Sequence, residues 1–258
     1  MTDTLILKAD GPVAEIILNN PSRRNAMKGD MWTAISAACA RIGAMESVRA
    51  VILHGGECGH FSAGADMSEF DAAFADRSAA ETSCQAISDA SRAIEACPKP
   101  VIAAIEGTCM GGALALAAAS DLRVVAEGAA FSLPPAKLGV AYPIEDLRRL
   151  ADILGPARVR ELFLTARVFQ ADEADRFGFV TRRVPTGSAA RIAAEMAAHM
   201  TRLSGWSLSA GKTMLAAIAA GQRTESDAMA NLFLEGFLGP DFKEGYRAFL
   251  DKRAPDFS

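Results

Sequence analysis

The sequence predicts an α/β fold, and three observations support that prediction. Short apolar, strand-like runs alternate with helical patterns along the first two-thirds of the chain. Glycine, proline or asparagine follows several of these runs, as is typical of the turns that end strands. The chain has 258 residues, half of them apolar, and can therefore bury one substantial core. Strands and helices that alternate in this way indicate α/β architecture.

Five segments have the pattern of a strand. The first alternates in polarity and then meets Asn19-Asn20-Pro21, a turn signal. The second is an apolar run that ends at His54-Gly55-Gly56. The predicted strands are Val13–Leu18, Val48–Leu53, Val101–Ile105, Leu122–Val125 and Phe179–Val184.

Helical patterns lie between these runs. The predicted helices are Asp30–Ile42, Ala79–Ala96, Gly112–Ala119, Glu145–Leu154, Ala157–Leu164 and Ala171–Phe177. From about Ser188 to Lys252 the chain is rich in Ala, Met and Leu, and its pattern is helical throughout, without a strand. We therefore expect a core over residues 1–190 and a helical region over 191–258, which packs on the core or on another subunit.

Composition argues against several partners and sites. The net charge is −4 and no polybasic run occurs, so neither nucleic acid nor a membrane is expected as a partner. The stretch Met1 to Lys8 lacks the cationic start and long apolar segment of a secretion signal, which predicts a cytoplasmic protein. The five cysteines and three histidines are scattered, so we expect reduced thiols and no metal site.

The stretch from Lys99 to Gly112 is the most informative for function. It describes a buried strand, a tight loop and a Gly111-Gly112 step that opens an Ala-rich helix. The first N–H groups of a helix have no intrahelical acceptor and lie at the positive end of its dipole. Such a terminus suits an oxygen that gains negative charge during a reaction. Alternatively, the two glycines only permit a helix and a strand to pack closely.

A second loop, Phe61 to Met67, follows the predicted strand Val48–Leu53 and consists mostly of small residues. Such a loop can present backbone N–H groups rather than side chains. Neither loop has the spacing of a phosphate-binding Gly-Lys-Ser/Thr motif, and no G-x-G-x-x-G follows the first strand. No serine lies in a G-x-S-x-G turn either. Nucleotide binding and serine hydrolysis are therefore not expected.

Together these blocks resemble the signature of the enoyl-CoA hydratase/isomerase (crotonase) family, in order and nearly end to end. The similar segments are Asn20-Pro21, Asn25-Ala26-Met27, 61–66, 99–112, Ser120-Asp121, 136–139, 164–167, 171–184 and the tail 241–253. The resemblance implies a spiral of ββα units with C-terminal helices that form a homotrimer or hexamer. It also implies an acyl-CoA thioester as the substrate, with no separate cofactor.

The resemblance further implies two backbone N–H groups that hold the thioester oxygen. At the matching positions these donors are Ala65 and Gly112. Losing one such donor usually costs about 3–4 kcal/mol of transition-state stabilisation.

Coenzyme A contacts are implied at both ends of the chain. The candidates near the pantetheine and nucleotide are Arg24, Ala26, Ala63, Asp66 and Met67. Phe249 and Lys252 are implied to cover the adenine or the 3′-phosphate, and a neighbouring subunit could supply both. Arg24 and Lys252 could instead be solvated surface charges.

Two positions depart from the family pattern. Family hydratases use two glutamates, and the matching residues here are Ala115 and Pro135. Neither side chain can transfer a proton, and each such group is usually worth about 10²- to 10⁴-fold in rate. A standard two-glutamate hydratase is therefore not expected.

Related isomerases use one carboxylate just after the Leu-Gly that ends the same block. Glu145 and Asp146 lie in that neighbourhood, although a residue or two later than usual, and Tyr142 could add a hydroxyl to the pocket. Alternatively, both acids are first-turn helix residues that pair with Arg148 or Arg149 on the surface.

Three interpretations follow. The leading one is an enzyme that forms a thioester enolate, most concretely an enoyl-CoA isomerase that uses Glu145. The second is a hydratase or other lyase whose water is held by unfamiliar groups. The third is a catalytically silent acyl-CoA-binding protein. Met67, Phe70, Phe74 and the predicted helix Ala79–Ala96 are expected to line the acyl tunnel, or else belong to the core.

Overall fold

A computed structural model describes residues 3–257; Met1 and Thr2 of the N-terminal stretch, and Ser258, lie outside the described residues. The larger of two sheets has six strands in the spatial order β1-β2-β3-β4-β6-β9. The first pair is antiparallel and the other neighbours are parallel. Its strands are β1 (Leu5–Lys8), β2 (Val13–Leu18), β3 (Ala50–His54), β4 (Val101–Ile105), β6 (Leu122–Ala126) and β9 (Arg182–Val184).

A smaller sheet contains β5 (Thr108–Met110), β7 (Ala130–Ser132) and β8 (Val168–Gln170). The chain passes from β4 to β5 and then into helix α4, so that one ββα unit contributes a strand to each sheet. The next unit repeats this path through β6 and β7. This repetition carries the chain around as a spiral and brings the start of α4 to the small sheet.

Twelve helices occur within the described residues, together with three short 3₁₀ turns. They are α1 (Gly29–Gly43), α2 (Phe70–Ala73), α3 (Arg77–Glu95), α4 (Gly112–Ala119), α5 (Pro135–Leu138), α6 (Ile144–Leu154), α7 (Pro156–Thr165), α8 (Ala171–Arg176), α9 (Ala189–Met200), α10 (Gly205–Ala219), α11 (Asp227–Leu238) and α12 (Pro240–Asp251).

The predicted α/β fold is confirmed, with two strand boundaries corrected. The strand expected at Val48–Leu53 begins only at Ala50, as β3. Phe179–Val184 was expected to be extended throughout, but only Arg182–Val184 pairs with β6. Phe179 precedes that strand and is fully buried beside Phe131, with ring centroids 5.5 Å apart.

Helix α9 covers the face of the larger sheet opposite the main core. Its buried residues Ala189, Ala193 and Ala197 pack against Ile52 and Ile102. The chain therefore contributes to the core of the larger sheet as far as α9. The boundary expected at residue 190, between the core and the C-terminal helical region, stays a prediction. No helix within residues 3–257 combines the length and apolarity needed to cross a lipid bilayer.

Helices α10 to α12 leave much apolar surface uncovered. Helix α11 has no buried residue, and Phe233, Phe237 and Leu238 on it are 60%, 50% and 66% exposed. Exposed apolar surface of this extent is typical of an interface with another chain.

Candidate active site

The two loops that the sequence singles out lie against each other. Ser62 N–H donates to the Thr108 carbonyl at 2.9 Å, and Met110 N–H donates back to the Ser62 carbonyl at 3.1 Å. Gly64, with φ of 94°, packs so tightly here that a Cβ would lie 2.8 Å from the Met110 oxygen. Only glycine tolerates both that conformation and that approach. The loop is therefore clamped to the strand that leads into α4.

Both predicted oxyanion donors have free N–H groups within residues 3–257. Around Ala65, Met27 N–H donates to Gly64 and Asp66 N–H donates to Met27, which leaves the Ala65 N–H facing away from that pairing. Gly112 is the first residue of α4, where an N–H has no intrahelical acceptor. Neither N–H donates to a described residue. Two unpaired donors on contacting loops can serve a ligand oxygen.

The carbonyl of Gly111 is hydrogen-bonded within the protein, unlike the N–H of Gly112. It accepts a hydrogen bond from Leu114 N–H at 2.9 Å and another from the Tyr142 hydroxyl at 2.7 Å. Burial, and then the charge of Asp146, raises the pKa of Tyr142 well above its usual value. The phenol therefore stays protonated and donates.

A cavity of about 220 Å³ adjoins the Ala65 loop. Its mostly apolar lining includes Trp32, Ala65, Phe70, Phe74, Ala86 and Ile87. Phe70, Phe74 and α3 border it as expected, whereas Met67 is not part of the lining and is 52% exposed. Trp32 connects the cavity to the other donor, because its ring would lie 2.6 Å from a Cβ on Gly112.

The two positions that depart from the family pattern present no polar side chain. Ala115 is buried in α4 one turn after Gly111, and Pro135 is buried at the start of α5. A buried polar group does lie nearby, the Ser132 hydroxyl. It has no hydrogen-bond partner within the described residues.

Glu145 faces α3 rather than the α4 glycines. Its two carboxylate oxygens accept hydrogen bonds from Arg92 at 2.7 and 3.0 Å, and Arg149 lies at 3.8 Å. The hydrogen bonds from Arg92 lower the pKa of Glu145. A half-exposed carboxylate held in this way is a weak base. Its catalytic role stays a prediction, and the arginine that binds it most closely is not one of the two neighbours considered from sequence.

Asp146 has a different environment, because it is only 1% exposed. One carboxylate oxygen accepts a 2.8 Å hydrogen bond from Arg149, and the other has no hydrogen-bond partner within residues 3–257. Burial raises the pKa of Asp146, and this outweighs the opposing effects of Arg149 and the Ser91 hydroxyl. Asp146 also lies within electrostatic reach of Tyr142.

Five of the predicted coenzyme A contacts, Arg24, Ala26, Ala63, Asp66 and Met67, lie on adjoining segments. Ala63 N–H donates to the Arg24 carbonyl at 2.9 Å, so that exposed Arg24, buried Ala26 and exposed Ala63 meet at one edge. Asp66 is buried, and its carboxylate accepts hydrogen bonds from Ser68 N–H at 3.0 Å and from the Ser68 hydroxyl at 2.7 Å. Those hydrogen bonds and Arg23 lower its pKa. The Asp66 carboxylate therefore stabilises the loop by accepting hydrogen bonds from Ser68.

The other two predicted contacts lie apart from these segments. Phe249 is on α12 and is 81% exposed, and Lys252 ends that helix with a left-handed backbone, φ of 53°. Neither makes a described hydrogen bond or ion pair to the segments around Arg24 and Asp66.

Sequence reasoning missed Trp32, Ser91 and Arg92. Trp32 occupies the buried face of α1, where a tryptophan reads as core, and nothing in the sequence indicates that it meets Gly112. Arg92 lies 53 residues from Glu145, beyond any local pairing rule. No cluster of three or more potential metal ligands occurs in the part of the chain that the structure describes.

Comparisons with known proteins agree with this architecture. A family model for enoyl-CoA hydratase/isomerase matches residues 8–258. The chain is 32% identical to the Mycobacterium bovis protein named "Probable enoyl-CoA hydratase echA8" and 32% identical to a carnitinyl-CoA dehydratase of Salmonella typhi, covering 99% of this chain and 98% of the relative in each case.

A crystal structure of an enoyl-CoA hydratase/isomerase family protein from Hyphomonas neptunium superposes with a TM-score of 0.96 at 46% identity. The match covers 99% of this chain and 97% of that one. It confirms the predicted crotonase-like fold. The family match over nearly the whole chain, together with these relatives, leads to one conclusion: this protein is a member of the enoyl-CoA hydratase/isomerase family.

Proposed function

We propose that this acyl-CoA enzyme stabilises a thioester enolate with the N–H groups of Ala65 and Gly112. The observation that carries the proposal is that both N–H groups are unused by the protein while their loops are held in contact. Donors fixed before the reaction begins stabilise developing negative charge without having to reorient. The apolar cavity beside Ala65 would take the acyl chain.

The reaction we assign is double-bond isomerisation of a 3-enoyl thioester. A carboxylate removes a proton from C2, the electron pair delocalises into a dienolate whose oxygen accepts the two N–H bonds, and the same proton returns to C4. The product is the conjugated 2-enoyl thioester. This chemistry needs one proton-transfer group, which fits a site that has Ala115 and Pro135 in place of both hydratase glutamates.

Asp146 is the proton-transfer group that the geometry favours over Glu145. A base that must also return the proton works best with a pKa raised towards neutrality. Burial moves Asp146 in that direction, whereas Arg92 moves Glu145 in the other. The unpartnered oxygen of Asp146 also leaves one acceptor available for a substrate proton.

The test compares Asp146→Asn with Glu145→Gln on 3-enoyl-CoA substrates. We expect Asp146→Asn to lower kcat by about 10²- to 10⁴-fold and Glu145→Gln to leave it within a few-fold. Because Asp146 acts when ionised and its pKa is raised, wild-type kcat should fall with acid at a higher pH than an ordinary aspartate would give. Residual Asp146→Asn activity should lack that acidic limb.

Calorimetry with a saturated acyl-CoA serves as the folding control, since both variants should still bind it. Full activity in Asp146→Asn would remove Asp146 from the mechanism, and a large loss in Glu145→Gln would return the role to Glu145. Binding without turnover of any enoyl-CoA in the wild type would instead support a catalytically silent acyl-CoA-binding protein.

Hydration is the second candidate reaction, because the relatives described above are named as a hydratase and a dehydratase. Two buried acceptors without partners in the described chain, the Ser132 hydroxyl and one Asp146 oxygen, could hold the attacking water. Incubation of a 2-enoyl-CoA in ¹⁸O-labelled water separates the reactions. Label in a 3-hydroxyacyl product indicates hydration, and its absence during rapid 3-enoyl turnover indicates isomerisation.

The assembly we propose is a homotrimer or a hexamer formed through α10 to α12. Its support is the uncovered apolar surface of α11. In such an assembly Phe249 and Lys252 of one chain would complete the coenzyme A contacts of the next.

A further inference from the structure

We propose that Tyr142 is a positioning residue whose hydroxyl holds the Gly111–Gly112 peptide with its N–H facing the thioester oxygen. The inference rests on the proposed oxyanion role of Gly112. The Gly111 carbonyl and the Gly112 N–H belong to one rigid peptide plane. A bond that fixes the carbonyl on one side therefore fixes the direction of the N–H on the other. Tyr142 makes such a bond, at 2.7 Å, in addition to those from the N–H groups of Leu114 at 2.9 Å and Ala115 at 3.4 Å.

This peptide needs an anchor because both of the residues that it joins are glycines. Gly111 has φ of 53° and ψ of −123°, the first central position of a type II′ turn. Rotating the peptide by half a turn would take Gly111 to the left-handed helical region, which glycine also populates readily. The rotated peptide would present its carbonyl, rather than its N–H, to the substrate oxygen. Steric hindrance alone does not prevent that rotation here.

The hydroxyl of Tyr142 is committed to this task. A phenol has one proton to donate, and the Gly111 carbonyl receives it. Donation to the carbonyl also polarises the amide, so the N–H on the same plane becomes a stronger donor. Burial keeps the phenol protonated, as its raised pKa indicates. Tyr142 therefore acts through the peptide and not by direct contact with the substrate.

The position of Tyr142 relates this role to the missing glutamate. Its hydroxyl lies over the first turn of α4, where the carbonyl of Gly111 is also 3.4 Å from the Ala115 N–H. Ala115, which matches a glutamate position of family hydratases, therefore lies in the same turn as the anchored carbonyl.

The test measures enolate formation directly, in Tyr142→Phe, with acetoacetyl-CoA as the probe. Its C2 proton is released to the buffer, and the bound enolate absorbs in the ultraviolet. We expect the variant to raise the apparent pKa of bound acetoacetyl-CoA and to lower kcat for enoyl-CoA turnover roughly five- to tenfold, with KM little changed. A loss of that size is smaller than the 10²- to 10³-fold expected when a whole donor is removed.

Tyr246→Phe is the matched control, since Tyr246 is the second of the two tyrosines in the chain and is 56% exposed on α12. It should leave both readouts unchanged. Thermal unfolding of each variant separates a change in the site from a loss of folded protein. An unshifted enolate pKa and kcat in folded Tyr142→Phe would overturn the inference. If the wild type formed no bound enolate, the oxyanion proposal itself would fail.

Discussion

At the scale of single residues, Gly112 must meet two separate requirements. Its N–H must be free for a ligand, and its Cα must fit against Trp32, whose ring would lie 2.6 Å from an added Cβ. Trp32 is only 3% exposed. Crowding in a packed core usually costs about 1–3 kcal/mol. We expect Gly112→Ala to lower the thermal midpoint accordingly.

The contribution of Trp32 can be isolated with a double variant. Trp32→Phe removes the ring atoms that meet the new methyl group, so Trp32→Phe/Gly112→Ala should lose less free energy of unfolding than the sum of the single variants. Denaturant unfolding of all four proteins gives the coupling. Strict additivity would show that the methyl group does not meet this ring.

How far the sequence predicts the site differs from residue to residue. Ala65 and Gly112 could be proposed because their loops resemble family segments that occur in the same order along the chain. The small residues of such a loop can be recognised in the local sequence. The partner of Glu145 could not be proposed, because Arg92 comes from a helix 53 residues earlier. Burial of Asp146 and exposure of Glu145 likewise depend on how α6 is rotated against α3. The sequence pattern does not determine that rotation for two adjacent acids.

At the scale of elements, α3 and α6 are joined by a charged network in which Arg149 is central. Its guanidinium, 4% exposed, donates to Asp146 at 2.8 Å and to Glu95 at 2.5 Å. Removing one partner of a buried pair typically costs about 3–5 kcal/mol, because the other charge is left buried. We expect Arg149→Met to lose free energy of unfolding in this range at neutral pH.

The control is Arg92→Met, which breaks the half-exposed pair with Glu145 and should cost much less, because solvent screens that pair. The Arg149→Met loss should also depend on pH. Without Arg149 the pKa of buried Asp146 rises further, so this part of the destabilisation is complete above that raised pKa. It is lost as the pH falls through that value to the wild-type pKa of Asp146, below which Asp146 is protonated in both folded proteins. Equal losses in the two variants at neutral pH would contradict a buried network.

The elements that were missed share a physical cause. Strands β5, β7 and β8 have three residues each, which is too short for an alternating pattern to show. They form because the spiral brings them together, with β5 pairing to a strand 22 residues later. Helices α1, α3, α4, α6, α7 and α8 could be predicted from their patterns in the sequence.

At the scale of the whole molecule, α10 to α12 expose apolar side chains, which favours contact with a partner surface. Phe233 and Phe237 stack edge to face, 5.3 Å apart, while both remain at least half exposed. A rigid aromatic pair of this kind is typical of the centre of an interface. We expect the wild type to be a trimer or hexamer by light scattering, and Phe233→Glu/Phe237→Glu to shift it to monomer.

The same variant tests whether neighbouring chains share the coenzyme A site. Lys252→Ala in the assembled protein should weaken acyl-CoA binding on the order of tenfold, through loss of a charged contact. If Lys252 acts on the neighbouring chain, the monomeric variant should bind equally weakly, and adding Lys252→Ala to it should change nothing further. Leu164→Glu, at an equally exposed apolar position on α7, is the control for surface charge. A further loss in the triple variant would place Lys252 on the site of its own chain, and unchanged binding in both would remove it from the site.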